Sequence, residues 1–559
     1  MNRRHFLAGA AAGAAISTLD WLRFFRAFGV PGTKKELGFA EAAAAEADNP
    51  RFLIYWFQEG GWDGYSMFNP VHTPNDSIRV IPAGELRPVP SWTQHRYRPK
   101  NYGTSPSDPP KTQGNIQYGY LAQDGLELFP DMAVVSSHNG NTFHSGGRWE
   151  YHYGKYSASL SGKRNADERT VMQAFCEAYG NGFLLPHVSW HRWLADGELS
   201  IPSYPEGTGY YEKLGPVHAH TIYGKTPSAM RERLSSLGNV AQGQRDARIR
   251  QFTDNLQASF LAEKNSESVR AFNSALQIHR ALTAGGSINL DPRTLFTDAT
   301  ARAEFGITAA DEATDSSSIN GNPARTKETP NTNVQALMTY ELMTKGLSIG
   351  FFIENRGLRQ FDTHRDRRGI MSNKGQTEQR DMMRKNLWAP LKTLVAKLKA
   401  TPYGATGRSY YDYTTIVLAS EMGRTIQGDV EAILAKADVT DAQKYEEIMT
   451  QDCCQHWRVN SVAFLGGTVR GNSQFGRVGS ASLDGIPLMP DGTLDPAYDP
   501  DTGLLITGRT KSPSSFISDA GHVYSTALYL AGLDPAALKA AGKGRNDRAP
   551  MKFIKRDVA

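Results

Sequence analysis

Five residues of metal-ligand type sit where apolar, strand-like runs meet polar loops. Asp63 follows "FLIYWF" in "QEGGWDG". Asp362 and His364 stand in "RQFDTHRD", downstream of "LSIGFFI". Glu421 closes "YTTIVLAS" in "LASEMGRT", and His456 precedes "SVAFLGG" in "QDCCQHWRVN". Carboxylates and imidazoles are ligands for hard or borderline divalent cations, so Zn, Ca, Mg or Mn is the class of metal such a set would take. His144 and Ser145, in "NTFHSGGRWE", and Arg424, three residues after Glu421, are further residues of catalytic type in the loops after such runs.

Each local signal also has a plainer meaning. Gly and Asp are turn residues by chemistry, so "GGWDG" alone describes a turn with Asp63 as its cap. Asp362 and His364 alternate, which puts both on one face of an extended segment, and an exposed loop would use them as well. A carboxylate closing an apolar strand needs a partner when buried; for Glu421 that is a metal or Arg424. His456 alone reads as a surface or core histidine. Asp63 and Glu421 could also form a glycosidase pair, provided their carboxyls lie within about 10 Å with no metal between them. His187 and His191 in "PHVSWHRW", and His218 and His220 in "VHAHT", read as loop histidines. The case for a site rests on the five candidates falling at comparable places in one topology.

That topology is legible in the apolar runs. "FLIYWF", "MAVVSS", "LSIGFFI", "YTTIVLAS" and "SVAFLGG" are short and rich in β-branched or aromatic residues. Near-continuous apolar strands imply burial on both faces, as in parallel sheets covered by helices. Helical patterns lie between them. They are "ERTVMQAFCEAYG", "NTNVQALMTYELMTKG" with Asn or Thr at its start and Gly346 at its end, and "TEQRDMMRKNLWAPLKTLVAKLKA", interrupted at Pro390. The alternation predicts an α/β fold, a central mostly parallel sheet flanked by helices, whose strand ends share one crevice. Residues from about 70 to 120 read as a Pro/Ser-rich surface excursion. The stretch from about 227 to 330 reads as a helical insertion able to cap the active face, returning through the polar link "DEATDSSSINGNPARTKETPNTN".

The chain has 559 residues and a formal net charge of +5, nearly balanced at this size and giving no reason to expect a nucleic-acid partner. At the N-terminus, "MNRRHFLAGAAAGAAIS" sets Arg3-Arg4 before an Ala/Gly-rich segment too short to span a bilayer, the pattern of a twin-arginine export signal. "AEAAAAEADNP" offers small-residue cleavage sites. The expected division is a signal peptide over 1–47 and a single domain over 48–559, delivered by the twin-arginine machinery to the periplasm or beyond. No later segment reads as a stable membrane span. Three cysteines, two of them adjacent, do not make a disulfide scaffold.

Taken in order, the motifs resemble those of the secreted DUF1501 proteins, placed in the alkaline phosphatase/sulfatase-like superfamily. "FLIYWFQEGGWDGYSMFNP" is similar to that family's opening strand and Gly-Gly-x-Asp-Gly turn. "HSGGRWEYHYG" is similar to its histidine segment, "FDTH" to its Phe-Asp-Thr-His motif, and "LASEMGRT" to its Ser-Glu-x-Gly-Arg motif. "CQHW" stands where the family has Thr-Asp-His-Gly, so Gln455 replaces an aspartate and Trp457 a glycine. The resemblance implies a sheet holding one or two metal ions at its strand ends. Asp63 and Glu421 would belong to one position, and Asp362, His364 and His456 to the other. His144 and Arg424 would contact substrate. The implied activity is hydrolysis of a phosphate or sulfate ester, of a small molecule or a polymer. The sequence shows no evident nucleophile beyond Ser145 and Thr142. A non-catalytic binding or assembly protein that keeps the fold and a structural metal is the alternative.

Overall fold

The computed structural model describes residues 52–58, 60–70, 111–142, 144–154, 169–180, 187–189, 220–221, 296–308, 318–319, 322–326, 331–355, 380, 382–404, 406–424, 436–440, 443, 456–540 and 547–556.

All five apolar runs form strands. They are β1 (Phe52–Gln58), β4 (Met132–Asn139), β9 (Gly350–Asn355), β10 (Thr414–Ala419) and β13 (Val459–Gly466), and the described side chains of their central residues are buried. Two pieces of hairpin, β2 (Lys111–Gln113) with β3 (Ile116–Tyr118) and β7 (Ser318–Ile319) with β8 (Asn322–Thr326), lie outside the main sheet. So do the paired residues β11 (Gly423–Arg424) and β12 (His456–Trp457). Three short strands complete the sheet: β5 (His187–Ser189), β6 (His220–Thr221) and β14 (Ser473–Phe475).

The sheet has eight strands in the order β14-β4-β13-β10-β1-β9-β5-β6. Every neighbouring pair is parallel except the two made by β13, which runs against both β10 and β4. The architecture is therefore α/β around a mixed, mostly parallel sheet. Parallel strands need crossovers, and helices supply the covering layers. On one side lie α2 (His144–Tyr153), α3 (Val171–Tyr179) and α7 (Ala520–Leu530); elsewhere α5 (Thr332–Thr344) packs on α6 (Ala389–Ala400). Alternate side chains of β1 meet different neighbours. Phe57 packs on Tyr151 of α2, whereas Phe52 packs on Tyr403 and Tyr410 just beyond α6.

The helices follow their sequence signals. Thr170 accepts a hydrogen bond from the Gln173 N–H at 3.0 Å, and Gln173 Oε1 accepts one from the Thr170 N–H at 3.0 Å, a reciprocal cap that opens α3. Asn331 stands at the N-cap of α5 without a side-chain cap bond, and Gly346, at φ 68°, follows its end. Pro390 lies in the first turn of α6, preceded by one π-helical turn at Arg384–Trp388, where the missing proline N–H and the ring's bulk disturb the bond ladder.

Three expectations change. His187 and His220 are strand residues rather than loop residues, because β9 and β5 offer them a parallel edge to pair with. His191 and His218 lie outside the described residues. The polar link near 320 contains β7 and β8; residues 227–295 of the predicted helical insertion lie outside the described residues, and α4 (Ala299–Glu304) is the helix described in the rest of it. The end of the predicted excursion is the β2–β3 hairpin, with Ile116 and Tyr118 buried. Among the described residues no helix is long and apolar enough to cross a membrane.

Removing the α3 cap by Thr170→Ala should lower the unfolding free energy by about 1 kcal/mol, read from the midpoint of a denaturant titration.

Candidate functional site

The register aligns the strand ends. Phe57 of β1 stands level with Ala419 of β10 and Glu354 of β9, so the segments leaving all three strands emerge at one edge of the sheet. Because β13 is antiparallel, it begins at that edge, with Val459 level with Asn139 at the end of β4. The stretches carrying Asp63, Glu421 and His456 are thereby delivered to the same crevice.

The turn after β1 needs its glycines. Gly60 has φ 107° and Gly61 φ 78°, conformations that side-chain-bearing residues rarely adopt. A Cβ on Gly61 would lie 2.5 Å from Met422 Cγ. The chain is pressed this close because the turn is gripped from the end of β10. The Gly60 N–H donates to Glu421 Oε1 at 2.7 Å, and the Gly60 carbonyl accepts from Arg424 Nη2. Arg424 Nε also donates to the Gly61 carbonyl at 3.1 Å. Ser420 Oγ donates to the Gln58 carbonyl at 2.6 Å and accepts from the Trp62 N–H at 3.0 Å. Trp62 Nε1 donates to Asn460 Oδ1, and Asn460 Nδ2 returns a bond to the Ser420 carbonyl at 2.9 Å.

Asp63 and Glu421, the two described carboxylate candidates, are both buried, at 3% and 0% exposure. Asp63 Oδ2 accepts from the Ser66 hydroxyl at 2.6 Å within the short helix α1 (Gly64–Met67). Glu421 is also enclosed by the loop after β4: the Asn141 N–H donates to its carbonyl at 2.9 Å, and Gly147 of α2 approaches so closely that a Cβ there would lie 2.5 Å from Glu421 Cβ. Arg424 is fully buried, and its described bonds go to the glycine turn, so it positions the site's backbone. His456 is half-buried on β12, and its Nδ1–H donates to the Thr142 carbonyl at 2.8 Å. In the neutral ring this bond leaves Nε2 as the lone-pair nitrogen, the arrangement found when imidazoles serve as ligands or bases.

His144 opens α2 and Ser145 follows it, in the stretch running from β4 past the carbonyl of Glu421. Asp362 and His364 lie outside the described residues. Among the described residues no three His, Cys, Asp or Glu side chains form a group that could hold a metal ion.

A second polar cluster lies beneath α2. His138, near the end of β4, has its Nδ1 3.0 Å from Ser518 Oγ and its Nε2 2.5 Å from the Tyr151 hydroxyl. A neutral imidazole has one donor and one acceptor nitrogen, and a hydroxyl can take either role, so the uncharged ring is satisfied on both sides. Burial pushes the His138 pKa down to about 3; the nearby Asp519 raises it and His522 lowers it, but neither reverses the effect. Burial likewise pushes the Tyr151 phenol well above its ordinary range. Asp519 caps α7 and is bonded by His522 and by Arg548 Nε at 2.8 Å. Burial opposes its ionisation, but His522 and Arg548 outweigh that and hold it at about 2.

Sequence reasoning missed Gln58, Ser420, Asn460, Tyr151 and Ser518. Ser420 is the residue before Glu421, inside a motif already singled out. Asn460 is polar at the head of an apolar strand. Tyr151 and Ser518 carry no local signal, because His138 reaches Ser518 across 380 residues.

No protein-family model matches the chain, and no curated protein matches it.

Gly61→Ala should destabilise the fold by roughly 2–3 kcal/mol, from the strained φ and the overlap with Met422, measured by chemical denaturation. For His138 the folded pKa lies below the unfolded value of 6.5, so the unfolded state binds the extra proton between them and stability falls as pH drops through that window. The loss should reach roughly 4–5 kcal/mol by about pH 3. A His138→Gln variant should lose that slope when unfolding free energy is followed against pH.

Proposed function

We propose that the strand-end crevice is the active site of an exported, metal-dependent hydrolase of phosphate or sulfate esters, in a chain of the alkaline phosphatase/sulfatase-like kind that the DUF1501 resemblance implies. The observation that carries the reading is the pair Asp63 and Glu421: two buried carboxylates, delivered by adjacent parallel strands to a turn that its glycines allow and Arg424 helps to hold. Burying two carboxylates in one crevice is costly unless cations share it; Arg424 is one such cation, and a divalent ion is the second that the reading adds.

Asp63, Glu421 and His456 have the donor chemistry for a divalent cation of the Zn, Ca, Mg or Mn class, with Asp362 and His364 as further arms. When bound, such an ion would polarise an ester oxygen and lower the pKa of a bound hydroxyl or water. The protein's own part follows from its contacts. Arg424 and Glu421 fix the peptide of Gly60. The Thr142 carbonyl fixes the His456 ring through Nδ1. The first turn of α2 brings His144 and Ser145 to the loop beside Glu421, where they are the candidates to contact the ester. Export by the twin-arginine machinery, to the periplasm or outside, belongs to the same proposal.

One observation favours a second reading, in which the fold is kept for binding or assembly. Glu421 accepts a backbone N–H and Asp63 a hydroxyl, so both carboxylates also serve the local structure.

Metal analysis of the purified protein should find a bound divalent ion, reduced in Asp362→Ala and His456→Ala. Aryl phosphate or aryl sulfate turnover should fall by at least 100-fold in Glu421→Gln. A protein that takes up no divalent metal even on reconstitution would rule the hydrolase out, and metal uptake without turnover would select the binding protein.

A further inference from the structure

Gln58 is the last residue of β1 and has no exposed surface. Neither its Nε2 nor its Oε1 has a hydrogen-bond partner among the described residues. Its backbone lies at the edge where the crevice forms. Its carbonyl holds Ser420, and two residues on, the Gly60 peptide holds Glu421 and Arg424. Three other buried polar atoms without a partner among the described residues lie at the same end of the sheet, Asn139 Oδ1 at the end of β4, Ser461 Oγ near the start of β13, and Asn69 Oδ1, whose own amide nitrogen bonds the Asn460 carbonyl, while others, such as Thr415 Oγ1 near the start of β10, lie elsewhere. Buried amides are nearly always satisfied, and a side chain that leaves both its donor and its acceptor unmet would be better replaced by an apolar one of the same length. Its retention at the mouth of a site points to a partner that arrives with the ligand.

The chemistry of the amide limits what that partner is. A phosphate or sulfate oxygen accepts only; it would satisfy Nε2 and leave Oε1 buried against an anion. A metal ion would take Oε1 and repel the amide hydrogens. A hydroxyl both donates and accepts, and so meets both needs at once. We propose that Gln58 is a specificity residue that reads a hydroxyl on the alcohol part of the ester, so that the substrate is the ester of a sugar or other polyol. The proposal rests on the crevice being an ester site.

The test compares glucose 6-phosphate and glucose 6-sulfate with cyclohexylmethyl phosphate and sulfate, which lack the hydroxyls, in both equilibrium binding and turnover. The wild type should prefer the hydroxylated ester by 10-fold or more, in Kd or in kcat/KM. Gln58→Met should erase most of that preference while its Tm stays equal or rises, since an unmet buried amide has been removed. A wild type without the preference overturns the inference whether or not the variant folds. So does a variant that keeps the preference, or one whose Tm drops while the preference stays, the mark of an amide satisfied by an internal water. Preferential binding without turnover would support the role of Gln58 and remove the hydrolase. Turnover of both esters without preference would do the reverse.

Discussion

The peptide of Gly60 is held from both sides, with Glu421 taking its N–H and Arg424 its carbonyl, and most of what is distinctive about this edge of the sheet depends on that grip. Two opposite charges buried in the same place would ordinarily be expected to meet. Here one holds the N–H and the other the carbonyl on either side of the Gly60 Cα, at a residue whose φ of 107° favours glycine. The position of Asp63 follows, because two residues separate it from Gly60 and the first of them, Gly61, turns left-handed. Trp62 follows as well: its ring nitrogen is committed to Asn460 on β13, which ties the turn to the strand that runs the other way.

Strand direction is what makes the crevice richer than a simple parallel sheet would allow. Residues after β1 and β10 arrive at their carboxyl ends in the ordinary manner. His456 and Asn460 arrive from the opposite sense, at the beginning of β13. The site thus draws on residues that precede a strand as well as residues that follow one. The His138 ring lies below this layer, buried, uncharged near neutrality and bonded by two hydroxyls, so it anchors α2 against the sheet rather than titrating near neutrality.

Much of this was legible in the residues. The five long strands announce themselves because burial on both faces removes polar residues from them. The capping box of α3 and the break at Pro390 are local chemistry and are equally plain. The direction of β13 was hidden, since an apolar run reads the same either way. β5 and β6 were hidden because three and two residues carry no period. In the site, Asp63 and Glu421 were visible as acids at the ends of apolar runs. The reason for Arg424 was not, because its bonds reach backbone carbonyls more than 360 positions away, and a backbone carbonyl leaves no trace in a sequence.

That separation has a consequence for how the chain comes into being. Gly60 and Glu421 lie 361 residues apart, and β1 has its two neighbours in β9 and β10, both late in the chain. At about 5–20 residues per second, a ribosome would need on the order of half a minute to supply the second half of the grip after the first has emerged. Through that interval "FLIYWF" is an apolar segment without a sheet to join, and contacts of such span close slowly even once the whole chain is present. The central strand of the finished fold is therefore the part of the nascent chain in greatest need of a chaperone.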